Sequence, residues 1–215
     1  MRIKRAASIA IYSFLCFFSI RAAATIFPLI FTNRIWASLG LVFMLASSLG
    51  VFYFFLIFYK DYVKAGQDRL KTGGVLAAVG SGLVVFLWFD RVIDFVLPDF
   101  LSFIFQSSNL EQLILYFPLV GGIFIFFFFI ILYRHYHTRS HALMKKAALL
   151  GLTGSSLILL QRSVVFIFQL GYKDLDWYSQ FPLLIKAIGA LLIVVGMASY
   201  LYFFISFRRY VTDSV

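Results

Sequence analysis

The residues best placed to do chemistry are charges that stand inside otherwise apolar runs. The segment LWFDRVIDF, Leu87 to Phe95, holds Asp90, Arg91 and Asp94. On a helix, Arg91 and Asp94 are three apart and can pair along one surface. Asp90 and Asp94 are four apart, which puts two like charges on a shared face. One guanidinium cannot satisfy both carboxylates, so the spare one calls for a cation from another segment. Arg21 and Arg162 interrupt two other apolar runs in the same way. Three arrangements fit this pattern. The arginines can extend to the outer headgroups, they can join an ion network that fixes helix packing, or they can line a ligand or ion site made of Arg21, Asp90, Arg91, Asp94 and Arg162. Charges within membrane segments are functional candidates by default. Gln161, Gln169 and Lys186 would extend such a site, although an amide in a membrane helix is commonly an interhelical hydrogen-bonding group. Three arginines against two carboxylates sum to a positive site, so a zwitterionic or anionic solute is the expected occupant.

Composition decides what positions these groups. Of the 215 residues, 62% are hydrophobic and only 13% charged, where a soluble domain averages about 25% charged. A soluble chain of this size could not cover its surface with so few. Several uncharged runs reach the ~20 residues that a helix needs to cross a ~30 Å hydrocarbon core. A membrane barrel would show alternating segments of ~10 residues, and GIFIFFFFIIL does not alternate. The expected fold is all-α: a polytopic membrane protein forming one transmembrane domain over residues 1–215, with spans at about 6–31, 35–59, 73–97, 113–133, 147–172 and 182–207. Arg21 and Arg162 each stand ~22 Å up their spans, and Asp90 ~26 Å along the third.

The formal charge of +10 is distributed as membrane orientation requires, not as a nucleic-acid face. Arg2, Lys4, Arg5, Lys60, Lys64, Arg69, Lys71, Arg134, Arg139, Lys145, Lys146, Arg208 and Arg209 fall on one side of the six spans, against Arg34 and Lys173 on the other. Cytoplasmic loops carry the excess of Lys and Arg, so both termini are expected in the cytoplasm, with the cell membrane as the location. No basic stripe interleaved with exposed aromatics points to nucleic acid. MRIKR, an apolar run and Ala22 to Ala24 imitate a secretory signal. Arg21 stands immediately before those small residues, and the segment is read as a retained first span. The single cysteine, Cys16, allows no intrachain disulfide.

A shift of 74 residues lays YKDY at Tyr59 on YRHY at Tyr133 and FRRY at Phe207. It also lays GSGL at Gly80 on GSSL at Gly154. Three helical hairpins are one reading. The other is that every cytoplasmic helix end favours an aromatic belt followed by cations. On this shift Arg162 maps to position 88 and Arg21 to position 95, with Arg91 between them, so the three arginines share one helical face.

The remaining motifs are weaker. If the loop YRHYHTRSHALMKK is helical, His137 and His141 share a face at a metal-binding spacing. No Cys or carboxylate lies nearby to complete a shell, and the expectation is no metal and no cofactor. Catalytic signatures such as His-Glu-x-x-His, Gly-x-Ser-x-Gly and a phosphate loop are absent from the sequence. An enzyme acting on lipid or headgroups, with Asp90 as base, ranks third. The first reading is a transporter, or a membrane-embedded substrate-binding subunit, with a polar site toward the extracytoplasmic side. The second is a non-transporting assembly, sensory or regulatory subunit of a larger membrane complex. The expected partners are the lipid bilayer, a small solute and other membrane subunits. A reporter fused after Val215 is expected to remain cytoplasmic; its appearance outside the cell would reverse the orientation.

Overall fold

A computed structural model of the chain describes residues 2–26, 34–64, 68–96, 108–138, 141–171 and 183–213. Six helices occupy them: α1 (Arg2–Ile26), α2 (Arg34–Lys64), α3 (Asp68–Val96), α4 (Ser108–Thr138), α5 (Ala142–Gly171) and α6 (Leu183–Asp213). All six contain a stretch long and apolar enough to cross a membrane. The chain is a multi-pass, all-helical membrane protein. Helices α2 to α6 have 29 to 31 residues, longer than the uncharged runs within them. A helix does not stop at its first cation, because the backbone hydrogen bonds of the next turn are satisfied equally well in the headgroup region. Lys60, Lys71 and Lys146 accordingly sit exposed on helical turns beyond the apolar stretch.

The helices form a closed ring. Each packs on its neighbours in sequence, and α1 against α6 completes the circuit. Consecutive helices run antiparallel. Gly73 faces Phe128 and Ile131 of α4 while Gly80 faces Gly121, and Gly74 faces Tyr59 of α2 while Gly82 faces Phe52.

Side-chain size divides the ring into two kinds of helix. The odd helices offer small residues at one end: Ala6, Ala7 and Ala10 on α1, Gly73, Gly74 and Ala77 on α3, Ala147, Ala148 and Gly151 on α5, all buried. The even helices offer phenylalanines to that layer. Phe54, Phe55 and Phe58 of α2, Phe128 and Phe129 of α4, and Phe203, Phe204 and Phe207 of α6 are each no more than 2% exposed. Their rings meet mostly edge to face, as Phe54 on Phe204 at 4.8 Å, Phe58 on Phe128 at 5.2 Å and Phe129 on Phe203 at 4.9 Å. That geometry sets the positive edge of one ring against the negative face of the next, worth roughly 0.5–1.5 kcal/mol per pair beyond area burial.

Beyond the phenylalanines, toward the two termini, lies a polar cap of three tyrosines. The hydroxyls of Tyr62 and Tyr136 are 3.4 Å apart, and Tyr136 shares a second hydrogen bond with Tyr210. His141 packs its ring on Tyr136 and Tyr210 at 6.2 and 5.5 Å. The condition for a shared histidine face is not met: α4 ends at Thr138, and His141 lies beyond it, before α5 begins. His137 stacks instead on Tyr133 at 5.5 Å. Among the described residues no group of three or more His, Cys, Asp or Glu could hold a metal.

Two glycine pairs mark the closest helix approaches. A Cβ on Gly121 would stand 2.6 Å from the carbonyl oxygen of Gly80, and one on Gly154 would stand 2.7 Å from that of Gly196. Backbone cannot yield as a flexible side chain can, so Gly121→Ala must push α3 and α4 apart. We expect it to lower stability by roughly 1–3 kcal/mol, read as earlier unfolding in an SDS titration. Gly189→Ala is the control, because the nearest atom to its Cβ is 3.9 Å away. It should be neutral or stabilising by up to about 1 kcal/mol, from helix propensity. Equal destabilisation by both would show that these crossings do not hold the ring.

Candidate functional site

On the side of the phenylalanine layer away from the termini, the ring encloses a cavity of about 160 Å³ to which all six helices contribute. Its origin is a change of side-chain size along the even helices. Phe55, Phe129 and Phe204 form the end of the cavity nearest the termini. About two turns further along, α2 presents Ser47 and Ser48 and α4 presents Gly122, with Ser81 opposite on α3. Helices held apart by phenylalanine at one level cannot close over serine and glycine at the next, and the centre stays open.

The wall is mostly apolar, with Phe14, Phe17, Val84, Leu87, Ile125 and Met197 among its residues. Its polar groups are few. The Ser48 hydroxyl donates to the carbonyl of Met44 at 2.9 Å. The Ser81 hydroxyl is within reach of the Ala77 and Ala78 carbonyls at 2.7 and 3.1 Å. Both are satisfied within their own helix, the ordinary state of a helical serine. Tyr200 shares a hydrogen bond with Ser155. Ser47 differs: it is 5% exposed, and its Oγ has no hydrogen-bond partner. A buried polar atom left so costs roughly 1–3 kcal/mol, and such exceptions ask for an explanation.

The charges expected from sequence fall in different places. Arg162 of α5 is half-buried and lines the cavity. Its neighbour Gln161 is also half-buried, with Oε1 lacking a partner. Asp90 of α3 is 6% exposed, while the adjacent Arg91 is exposed on the outside of the ring. Asp90 and Arg162 are each engaged by interactions with other groups. The side chains of Arg21, Asp94 and Lys186 lie outside the described residues.

Several cavity residues carried no chemical signal in the sequence. Ser13, Ser47, Ser48 and Ser81 stand in uncharged runs without a recognisable motif, and Trp88 lies in the apolar run before Asp90. The available clue was a pair of adjacent serines, Ser47-Ser48, in the middle of a span without any charge. Trp88 and Arg162, on α3 and α5, both line the cavity, so an indole and a cation border the same space.

Among the described lining residues none is an aspartate, glutamate, histidine or cysteine. The described part of the wall offers serine hydroxyls, one cation and a shaped apolar volume. No family model, curated protein or solved structure matches the chain.

Because the Ser47 hydroxyl is unpaired, Ser47→Ala removes a liability from the fold. It should raise resistance to SDS unfolding by about 1 kcal/mol, whereas Ser48→Ala, losing a made hydrogen bond, should not. A destabilised Ser47→Ala would mean that the hydroxyl is satisfied after all.

Proposed function

We propose that this chain binds a small solute in the central cavity and either carries it across the membrane or presents it to partner membrane subunits. The observation that carries this reading is the cavity itself, which all six helices build, with serines at mid-span and Arg162 on its border. A protein whose helices only had to pack would place a phenylalanine there, as it does two turns away. The site is proposed to comprise Arg162, Gln161 and Asp90; Arg21, Asp94 and Lys186 remain candidates for it.

The cation distribution supports cytoplasmic termini in the cell membrane. In that orientation the phenylalanine layer closes the cavity from the cytoplasm, and the cavity belongs to the extracytoplasmic half.

Three hairpins related by a repeat are also part of the reading. Tyr62, Tyr136 and Tyr210, spaced 74 apart, meet in one cluster, and Phe55, Phe129 and Phe203 at the same spacing are all buried. The buried faces favour a different register for α1. Ala6, Ala7 and Ala10 correspond to Gly73, Gly74 and Ala77 at a shift of 67, not 74. The difference is seven residues, about two helical turns, which preserves the face while shortening the first hairpin. In that register Arg21 falls on Trp88 and Arg162, instead of on position 95.

Native mass spectrometry of the gently solubilised protein tests the reading. The wild type should retain a small molecule, and Ser47→Trp, which fills the cavity, should release it. A correctly folded Ser47→Trp protein with the same adduct would place the ligand elsewhere. A copurifying protein with no small molecule would favour the alternative, a non-transporting assembly, sensory or regulatory subunit.

A further inference from the structure

Resting on the binding reading above, we infer that the cavity takes an uncharged apolar molecule whose hydrocarbon body is about the size of a single aromatic ring. The sequence alone favours a zwitterion or an anion, because it counts three arginines as one site. In the folded ring those charges do not gather. Arg91 is exposed on the outside, and Arg162 is the one of the three among the described lining residues. Arg162 is engaged by other groups, and so is Asp90. Neither is a free charge. A charged ligand would give up its water with no spare counter-charge on the described wall to receive it.

The neutral polar groups are committed in a similar way. Ser48 and Ser81 donate their hydroxyl protons to carbonyls of their own helices, and the Tyr200 hydroxyl shares a hydrogen bond with Ser155. The Oγ of Ser47 and the Oε1 of Gln161 lack partners, but both atoms are buried and present no surface to a ligand. Ser13 and Trp88 also border the space. Each can give one neutral hydrogen bond and no counter-charge.

Apolar surface is what the wall has in quantity. Phe14 of α1, Phe55 of α2, Trp88 of α3, Phe129 of α4, Ile158 of α5 and Phe204 of α6 bring it from every side. The volume of about 160 Å³ is close to the ~150 Å³ of an apolar protein cavity that takes up benzene. A molecule already dissolved among lipid tails gains little from leaving water, so its gain here must come from contact. A packed wall supplies denser dispersion contact than mobile chains do, and ring edges and faces suit another ring. Such a body has two sources, a free small molecule or the tail of a membrane lipid.

Trp88 can report the binding. The chain has three tryptophans, and Trp36→Phe with Trp177→Phe leaves Trp88 alone. The protein in lipid nanodiscs is titrated with iodobenzene, whose heavy atom quenches an indole that it touches. A saturable component should stand above the linear quenching by iodobenzene dissolved in the lipid. Toluene should displace it, and 2-phenylethanol should do so about ten-fold more weakly. Phenylacetate and phenethylamine should be weaker than toluene by at least about a hundred-fold, since each must bury a charge. Ile125→Phe and Val84→Phe, two separate ways of filling the cavity, should each remove the saturable component. Val42→Phe, at an exposed position of α2, should keep it. Toluene should also expel the copurifying occupant, and the mass of what is released distinguishes a phospholipid from a free small molecule; either supports the inference.

Displacement by phenylacetate or phenethylamine as strong as that by toluene would overturn the uncharged assignment while leaving the cavity a solute site. The inference also fails if no saturable component appears, or if both folded filling variants retain it. Native mass spectrometry then shows whether the binding reading falls too. An adduct released by Ser47→Trp keeps the cavity as the site of another ligand class, and no adduct removes both.

Discussion

Helices in a bilayer are not driven together by the hydrophobic effect, because lipid tails are as apolar as leucine. What holds this ring is close fit. Small residues on α1, α3 and α5 receive the phenylalanines of α2, α4 and α6, and every ring so placed gains dispersion contacts that lipid chains match less densely. The rest of the structure depends on that exchange. Where both partners are present, the bundle is solid, with Phe54, Phe58, Phe128 and Phe207 excluded from the surface. Where the even helices change from phenylalanine to serine and glycine, nothing replaces the lost volume, and the cavity begins. Floor and cavity are thus two outcomes of one packing rule, applied to two stretches of the same helices.

The six helices were legible in the sequence because the bilayer forces them to be. Uncharged runs of spanning length have no other stable form there, since every backbone group must be satisfied within its own segment. Helix ends were less legible. Lys64 and Asp213 end their helices well past the first cation of the run, because water and headgroups satisfy the last turns without any marker in the text. The site was half legible. Charge inside an apolar run drew attention to Asp90, Arg91 and Arg162 alike, and side-chain burial then separated them. Arg91 faces outward and Arg162 borders the cavity, a difference that one helical face estimated from a 74-residue register could not resolve. Ser47 was invisible for another reason. Ser48 and Ser81 show what a helical serine ordinarily does, donating to a carbonyl three or four residues back. Whether a given serine does so is a matter of rotamer and surroundings, and no neighbouring letter records it.

The division of labour between arginine and serine follows from their solvation. A guanidinium cannot be left without partners in a low-dielectric interior, and Arg162 is engaged by other groups. A neutral group is less costly to leave without a partner, at roughly 1–3 kcal/mol, and the Ser47 hydroxyl and Gln161 Oε1 are two such groups.

On the transport reading, a solute leaving toward the cytoplasm must part the phenylalanine layer and the tyrosines beyond it. The two barriers differ in kind. Ring-on-ring contacts are dispersion and quadrupole interactions without donors or acceptors, so rings that slide or tilt can re-form contacts in a new arrangement with little left unpaired. The hydroxyls of Tyr62, Tyr136 and Tyr210 are bound to one another, and separating α2, α4 and α6 leaves them without those partners. Tyr62 and Tyr210 are half-buried, so water can replace part of what they lose, whereas Tyr136 is 2% exposed and its hydroxyl depends on those two partners. Apolar contacts rearrange without leaving unsatisfied groups, so on that reading the tyrosine cluster is the costlier of the two barriers to break.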